Sequence, residues 1–136
     1  MKKVLIVDDE ECVAKAFGAL VCECPDTECE IETDATKAMM AAVGGRYDAA
    51  VVDLNLKSKE CDGSDIAREC IMMGTPVIIC SGSSMLTKLR SYFNLKEHRN
   101  YVVHLDKPIV PSEFIETLKS MMSISVDHES MMERMK

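Results

Sequence analysis

Short apolar runs alternate with segments of helical spacing along this chain of 136 residues, and that alternation limits its fold more than any other feature. Four runs are continuous rather than alternating, as expected for parallel strands that are covered on both faces. They occupy residues 4–7, 49–52, 77–80 and 101–103. A fifth candidate, residues 30–33, alternates polar and apolar side chains, which is typical of an edge strand with one less covered face.

A stripe of apolar residues at helical spacing follows each of these five strands. The stripes consist of Val13, Phe17, Leu20 and Val21; Ala38, Met39 and Ala42; Ile66, Ala67 and Cys70; Leu86, Leu89 and Phe93; and Phe114, Ile115, Leu118, Met121 and Met122. Ser83 or Ser84 is a candidate N-cap for the fourth helix, and Pro111 suits the first turn of the last. Five β-α units in succession predict parallel strands joined by right-handed crossovers, which gives a three-layer α/β sandwich.

The composition agrees with one globular domain, since 47% of the residues are apolar and 29% are charged. We expect this domain to span residues 1–122, and residues 123–136, which have no strong pattern, to form a C-terminal tail or the stub of a linker. No apolar run reaches the ~20 residues of a membrane span, and the acidic residues from Asp8 onward end the first run too early for a signal peptide. The sequence therefore predicts a soluble cytoplasmic protein.

Charge and cysteine content argue against two further classes of site. The net charge of −7 and the lack of a basic stripe disfavour direct binding of nucleic acid. The seven cysteines are odd in number and irregularly spaced, and Cys70 and Cys80 lie inside apolar segments where small thiols pack well. Cys22 and Cys24 lack a second pair of ligands, so we expect reduced thiols rather than a zinc site.

Polar residues follow four of the five predicted strands, at the point where each apolar run stops. They are Asp8 and Asp9 after the first strand, Asp53 after the third, Ser81 and Gly82 after the fourth, and Lys107 and Pro108 after the fifth. The carboxyl ends of parallel strands meet at one edge of the sheet, so these side chains should converge. One Asp alone is often a helix cap, and a Ser-Gly or Lys-Pro pair alone is usually a turn or loop, but their coincidence indicates one site.

The residue types at these strand ends suit one chemistry. Three converging carboxylates repel one another unless a cation lies between them, and oxygen ligands with open water positions suit Mg²⁺. Lys107 adds a second positive charge, and the Ser81 hydroxyl and the Gly82 N–H can donate to phosphoryl oxygens. The set predicts a cradle for a phosphoryl group, with Asp53 as the nucleophile that forms an aspartyl phosphate.

These motifs resemble those of the receiver domains of bacterial two-component response regulators. The similarity covers residues 2–122 and rests on "VLIVDDE", "DAAVVDLNL", Asp62-Gly63, "PVIICSG" and "DKP". It implies a flavodoxin-like (βα)5 fold whose five-stranded parallel sheet has the order 2-1-3-4-5. It also implies a phosphoprotein of two-component signal transduction or a phosphorelay, with a histidine kinase or a histidine phosphotransfer protein as the donor and another protein as the target.

The resemblance implies a role for each residue that handles the phosphoryl group. Asp53 is then the phosphoacceptor, and Asp9, Asp53 and the backbone carbonyl of Asn55 are the ligands of Mg²⁺. Asp8 acts mainly through a metal-bound water, and Lys107 is the partner of the phosphate. Such a domain supports its own phosphoryl transfer and dephosphorylation and is not otherwise an enzyme.

The switch residues show where this sequence departs from the family. Ser81 would be the hydroxyl switch residue, but His104 stands three residues before the lysine, where the family usually has Tyr or Phe. In one interpretation its imidazole reports the position of the Ser81 hydroxyl, and in the other it is a partly exposed histidine at the end of the fifth strand. Lys57 replaces the usual Pro, and the stretches 53–63 and 81–107 are longer than is common, so the partner surface is altered.

Three other functions share parts of this pattern. A haloacid-dehalogenase-type phosphatase needs Asp-x-Asp after the first strand, whereas Asp8 and Asp9 are adjacent here. A flavin-binding flavodoxin-like protein needs a loop rich in Ser and Thr after that strand, and the acidic residues 8–11 would repel a phosphate that lacks a metal. A phosphorylation-independent interaction module on the same fold remains an alternative, although the intact set of site residues argues against it.

Overall fold

The computed structural model describes residues 1–54, 56, 61–81 and 102–123. In chain order the elements are β1 (Lys2–Val7), α1 (Glu11–Cys22), β2 (Thr27–Glu32), α2 (Ala35–Gly44), β3 (Ala49–Asp53), α3 (Gly63–Met72), β4 (Val77–Ser81), β5 (Val102–Asp106) and α4 (Pro111–Ser123). The helix predicted around Leu86, Leu89 and Phe93 lies outside the described residues, together with its candidate caps.

The five strands form one sheet of order β2-β1-β3-β4-β5, and every neighbouring pair is parallel. This confirms the predicted α/β fold and its strand order 2-1-3-4-5. All residues of β3 and β4 are buried, as expected for continuous apolar runs that are covered on both faces. The residues of β2 are half-buried or exposed, which agrees with its place at the edge of the sheet.

Helices cover both faces of the sheet. Successive side chains of each strand point in opposite directions, so a continuous apolar run puts apolar side chains on both faces. In β1, Leu5 packs with buried residues of α2 and α3, whereas Ile6 packs with those of α1 and α4. On the second face the rings of Phe17 and Phe114 connect α1 to α4, with centroids 5.1 Å apart. The sheet and its two helical layers form the three-layer sandwich and hold the carboxyl ends of the strands at one edge.

Two strands differ in their bounds from the sequence prediction. β2 begins at Thr27 rather than at residue 30, because it pairs with β1 from Lys2 onward. β5 continues to Asp106 rather than stopping at residue 103, because each of its residues pairs with β4. His104 is therefore the third residue of β5, and its predicted place at the end of the strand was wrong.

The described helices are short. The longest, α4, has 13 residues and begins at Pro111 as predicted. None of the helices in the described part of the chain combines the length and the apolar character that crossing a membrane requires. Residues 124–136 are not among the described residues, so the division between a domain of residues 1–122 and a tail stays a prediction.

Candidate functional site

Three carboxylates meet at the carboxyl edge of the sheet. β1 and β3 are neighbours in which Val7 pairs with Val52, so Asp8, just after β1, lies beside Asp53, the last residue of β3. Carboxylate oxygens of Asp8, Asp9 and Asp53 lie within 4.8 Å of one another. Asp8 and Asp53 are buried, with 2% and 6% of their surface exposed, whereas Asp9 is half-buried. The structure thus brings together the three acidic residues that the sequence singled out.

Asp8 has one carboxylate oxygen without a partner. Its Oδ1 accepts a hydrogen bond from the Glu10 N–H at 2.9 Å, but its Oδ2 is buried and has no hydrogen-bond partner among the described residues. Burial raises the pKa of the Asp8 carboxyl, the Glu10 N–H opposes that rise, and the charge of Asp53 adds to it. A buried oxygen with unused lone pairs beside two more carboxylates fits a hard cation such as Mg²⁺, or a water bound to that cation.

Lys107 supplies the positive charge next to Asp53. Its Nζ lies 3.3 Å from Oδ1 of Asp53. Its backbone N–H donates to the Ser81 carbonyl at 3.0 Å, which ties the segment after β5 to the end of β4, and the Lys107–Pro108 peptide bond is cis. Because 39% of the lysine side chain is exposed, water screens the ion pair and its contribution to stability is small, about 0–1 kcal/mol. The ammonium group therefore stays accessible to an anion that reaches Asp53.

Ser81 and His104 form a hydrogen-bonded pair on the neighbouring strands. Ser81 ends β4 and is 1% exposed, and its Oγ lies 2.6 Å from Nε2 of His104. Ile79 pairs with His104 in the sheet and Ser81 pairs with Asp106, so Ser81 and His104 share one face. The imidazole Nδ1 lies 3.6 Å from Oδ1 of Asp106. The imidazole therefore lies between the Ser81 hydroxyl and the Asp106 carboxylate.

Two of the predicted site residues, Asn55 and Gly82, lie outside the described residues, as does Lys57. The metal-binding carbonyl of Asn55 and the phosphoryl-binding N–H of Gly82 therefore stay predictions.

No family model matches the chain, and no curated protein matches it. A response regulator receiver protein from Sinorhizobium medicae is 18% identical, with a TM-score of 0.74 over 89% of this chain and 94% of that one. A response regulator receiver domain protein from Clostridium thermocellum is 21% identical, with a TM-score of 0.73 over 90% and 94% of the two chains. The receiver domain of the sensor histidine kinase PA1611 from Pseudomonas aeruginosa, which has a magnesium ion coordinated in its active site cleft, is 22% identical, with a TM-score of 0.69 over 90% and 98%.

The chain has the receiver-domain fold. This confirms the fold that the motifs of the sequence implied. At identities of 18–22% the likeness extends to the fold, and the roles of individual residues stay predictions.

Gly63 has a place in this receiver fold that its motif alone did not explain. A Cβ at Gly63 would lie 2.2 Å from the carbonyl oxygen of Asp53 and 2.6 Å from Cα of Leu54. The first residue of α3 therefore touches the backbone that carries the central carboxylate, and a capping box between Asp62 and Asp65 holds that helix start. The sequence did carry a signal, because glycine is a poor helix former and its presence there indicates a close approach.

We expect Gly63→Ala to lower the free energy of unfolding by about 1–3 kcal/mol, because the added methyl group overlaps backbone atoms that cannot rotate away. Gly44→Ala is the matched control at the end of α2, where the nearest atom a Cβ would meet is Nε of Arg46, at an ordinary 3.6 Å. That variant should be neutral or more stable, since Ala favours a helix. Urea unfolding of both variants measures the difference, and equal stabilities would show that α3 does not approach Asp53 so closely.

Proposed function

We propose that this chain is a phosphorylation-activated response regulator receiver. In this proposal Asp53 accepts a phosphoryl group from a histidine kinase or a histidine phosphotransfer protein in a Mg²⁺-dependent reaction. The phosphorylated domain then changes a surface that binds a target protein in the cytoplasm. The observation that carries the proposal is the Lys107 ammonium 3.3 Å from Asp53 inside a cluster of three carboxylates. A structural ion pair alone would not need the two further carboxylates, whose mutual repulsion is unfavourable without a cation.

The proposed reaction moves a phosphoryl group from an imidazole to a carboxylate. An oxygen of Asp53 attacks the phosphorus of a phosphohistidine and forms an O–P bond, while the N–P bond breaks and its electron pair returns to the donor nitrogen. The Lys107 ammonium stabilises negative charge on a phosphoryl oxygen. Ser81 lies one residue beyond Cys80, which pairs with Asp53 in the sheet, and in this proposal its hydroxyl donates to another phosphoryl oxygen. The domain acts on its own phosphoryl group and is not proposed as an enzyme for other substrates.

Mg²⁺ is the cation that the donor set suits best. Asp9 and Asp53 would supply carboxylate oxygens, Asn55 its carbonyl, and the unpartnered Oδ2 of Asp8 would accept from a metal-bound water. When bound, the ion would neutralise charge on the phosphoryl oxygens. The receiver domain of PA1611 has the same fold and a magnesium ion coordinated in its active site cleft, which supports this choice of metal.

Acetyl phosphate provides the test of the proposed function. In its presence and that of Mg²⁺, the wild-type protein should gain one phosphoryl group, which adds about 80 Da to the intact mass. Hydroxylamine should remove the group, because an acyl phosphate is labile to it, and EDTA should prevent its formation. Absence of an adduct would instead favour an interaction module that works on this fold without phosphorylation.

Phosphorylation should act on the rest of the domain through Ser81 and His104. A phosphoryl group on Asp53 would compete with Nε2 of His104 for the Ser81 hydroxyl and so shift a pre-existing equilibrium of the imidazole. We expect beryllofluoride, a stable phosphoryl mimic, to shift the Nε2 resonance of His104 in the wild type and far less in Ser81→Ala. Ser81→Ala should still accept a phosphoryl group, since its hydroxyl does not perform the attack.

Two variants of His104 serve as matched controls for this coupling. His104→Gln keeps a side chain that can form a hydrogen bond with Ser81, whereas His104→Leu keeps the bulk and loses the hydrogen bond. The changes in amide chemical shift that beryllofluoride causes beyond the site should persist in His104→Gln and shrink in His104→Leu. If those changes are the same in Ser81→Ala as in the wild type, the coupling does not run through this pair.

A further inference from the structure

Two thiols lie at the end of α1 that is remote from the carboxylate cluster. α1 starts at Glu11, soon after Asp9, and ends at Cys22, while Cys29 is the third residue of β2. Cys22 is exposed, Cys29 is half-buried, and both are free thiols. Neither takes part in the proposed phosphoryl chemistry.

Packing places the Cys29 thiol against the face of α1 that leads to Cys22. A Cβ at Gly18 would lie 3.3 Å from Sγ of Cys29, so this sulfur occupies the space beside the helix that a side chain at position 18 would need. Gly18 and Cys22 are four residues apart and lie on one face of α1, one turn from each other. Cys22 is therefore the next residue along that face that can reach the same sulfur.

The pKa of the Cys29 thiol responds to Cys22 as well as to burial. Burial raises the pKa of the Cys29 thiol, and Cys22 adds to the rise both by its charge and by a hydrogen bond. Such an interaction requires that the two sulfur atoms lie close together, in agreement with the packing over Gly18.

A metal ion explains this arrangement less well than thiol chemistry does. The third thiol of this region, Cys24, is buried in the turn between α1 and β2. Within the described ranges, Asp8, Asp9 and Asp53 form the one group of three that could share a metal ion, so the three thiols do not. A pair of sulfur atoms without a third ligand suits a disulfide rather than zinc.

We propose that Cys22 and Cys29 form a modification site that closes a reversible intramolecular disulfide on reaction with a small disulfide such as oxidised glutathione. The Cys22 thiolate attacks one sulfur of the glutathione disulfide, which yields a mixed disulfide and releases one glutathione thiolate. The Cys29 thiolate then attacks the Cys22 sulfur, closes the new bond and releases the second glutathione. The two cysteines lose two electrons and two protons, and the glutathione disulfide takes up both.

Exposure determines the order of these two steps. Cys22 faces solvent and meets the oxidant first, whereas Cys29 is shielded between β2 and α1. In the mixed disulfide Cys22 carries no thiolate charge. Cys22 then no longer opposes ionisation of the Cys29 thiol, so the second attack becomes easier. The closed disulfide connects the end of α1 to β2, which lies at the edge of the sheet of described strands and pairs with β1.

The test uses the full chain equilibrated with mixtures of reduced and oxidised glutathione. The wild type should lose about 2 Da, the mass of the two thiol hydrogens, and form no disulfide-bonded dimer. Digestion with trypsin and a glutamyl endopeptidase cleaves after Lys15, Glu23 and Glu28, which separates the three thiols of this region into different peptides. We expect residues 16–23 to be linked to the peptide that starts at residue 29, and a reducing agent to split the link.

Serine variants of two exposed cysteines complete the experiment. Cys22→Ser should fold like the wild type by circular dichroism and lose the link, whereas Cys12→Ser, the matched change at the start of α1, should keep it. Labelling by acetyl phosphate should be equal in both variants, because neither Cys12 nor Cys22 belongs to the cluster of Asp8, Asp9 and Asp53. A link from residues 16–23 to residues 24–28, a lasting glutathione adduct without a link, or a disulfide-bonded dimer would overturn the proposal.

Discussion

Asp53→Asn should reduce labelling by acetyl phosphate about 1000-fold or more, because an amide cannot act as the nucleophile that forms an acyl phosphate. Asparagine keeps the size of the side chain, which is 6% exposed at the end of β3, so the fold should persist. It also removes one of three mutually repelling charges, which should not destabilise the protein without a metal. A time course of intact mass, with circular dichroism as a check on folding, measures the effect.

Asp48→Asn is the matched control for this substitution. Asp48 lies directly before β3, is exposed, and has a carboxylate that accepts a hydrogen bond from the Lys3 N–H at 2.8 Å. The control removes the same charge at the other end of the same strand, so its labelling should equal that of the wild type. Equal labelling of Asp53→Asn and the wild type would place the acceptor elsewhere.

Removing two carboxylates of the cluster should eliminate specific binding of Mg²⁺. The double variant Asp9→Ala, Asp53→Ala leaves Asp8 as the one carboxylate of the three, and a single carboxylate binds Mg²⁺ only weakly. Isothermal titration should give a binding curve for the wild type and none for the double variant. A second double variant, Glu23→Ala with Asp48→Ala, removes the same charge from exposed positions and should still bind. Unchanged binding after loss of Asp9 and Asp53 would place the metal elsewhere.

Thermal unfolding at several pH values, with and without Mg²⁺, tests the environment of Asp8. Burial raises the pKa of Asp8 in the folded protein above the ordinary value of 3.8, so between the unfolded and the folded pKa the folded protein binds more protons than the unfolded chain. The metal-free protein should therefore lose stability as the pH rises through this window, and Asp8→Asn should remove the dependence. Mg²⁺ favours the ionised carboxylate, so the rise in Tm that it causes should shrink as the pH falls through the window.

Local patterns in the sequence were sufficient to predict the fold. Strands that are covered on both faces need continuous apolar runs, and helices that cover them need apolar stripes at a period of 3.6, so both can be read without knowledge of distant contacts. The proximity of the Asp8, Asp9 and Asp53 carboxylates could also be predicted from the sequence, because parallel strands have their carboxyl ends at one edge of the sheet.

Other features depended on contacts between residues far apart in the sequence. The apolar run of β5 stops before His104, but its pairing with β4 continues, because backbone hydrogen bonds do not require apolar side chains. The contact of Gly63 with the backbone of Asp53 and the position of the Cys29 sulfur against Gly18 leave no periodic pattern in the sequence, since each depends on how a helix packs against a strand. The sequence by itself determined which elements form and which of their ends meet. Only the tertiary structure decided which side chains are buried there and touch, because those distances follow from packing across the whole sheet.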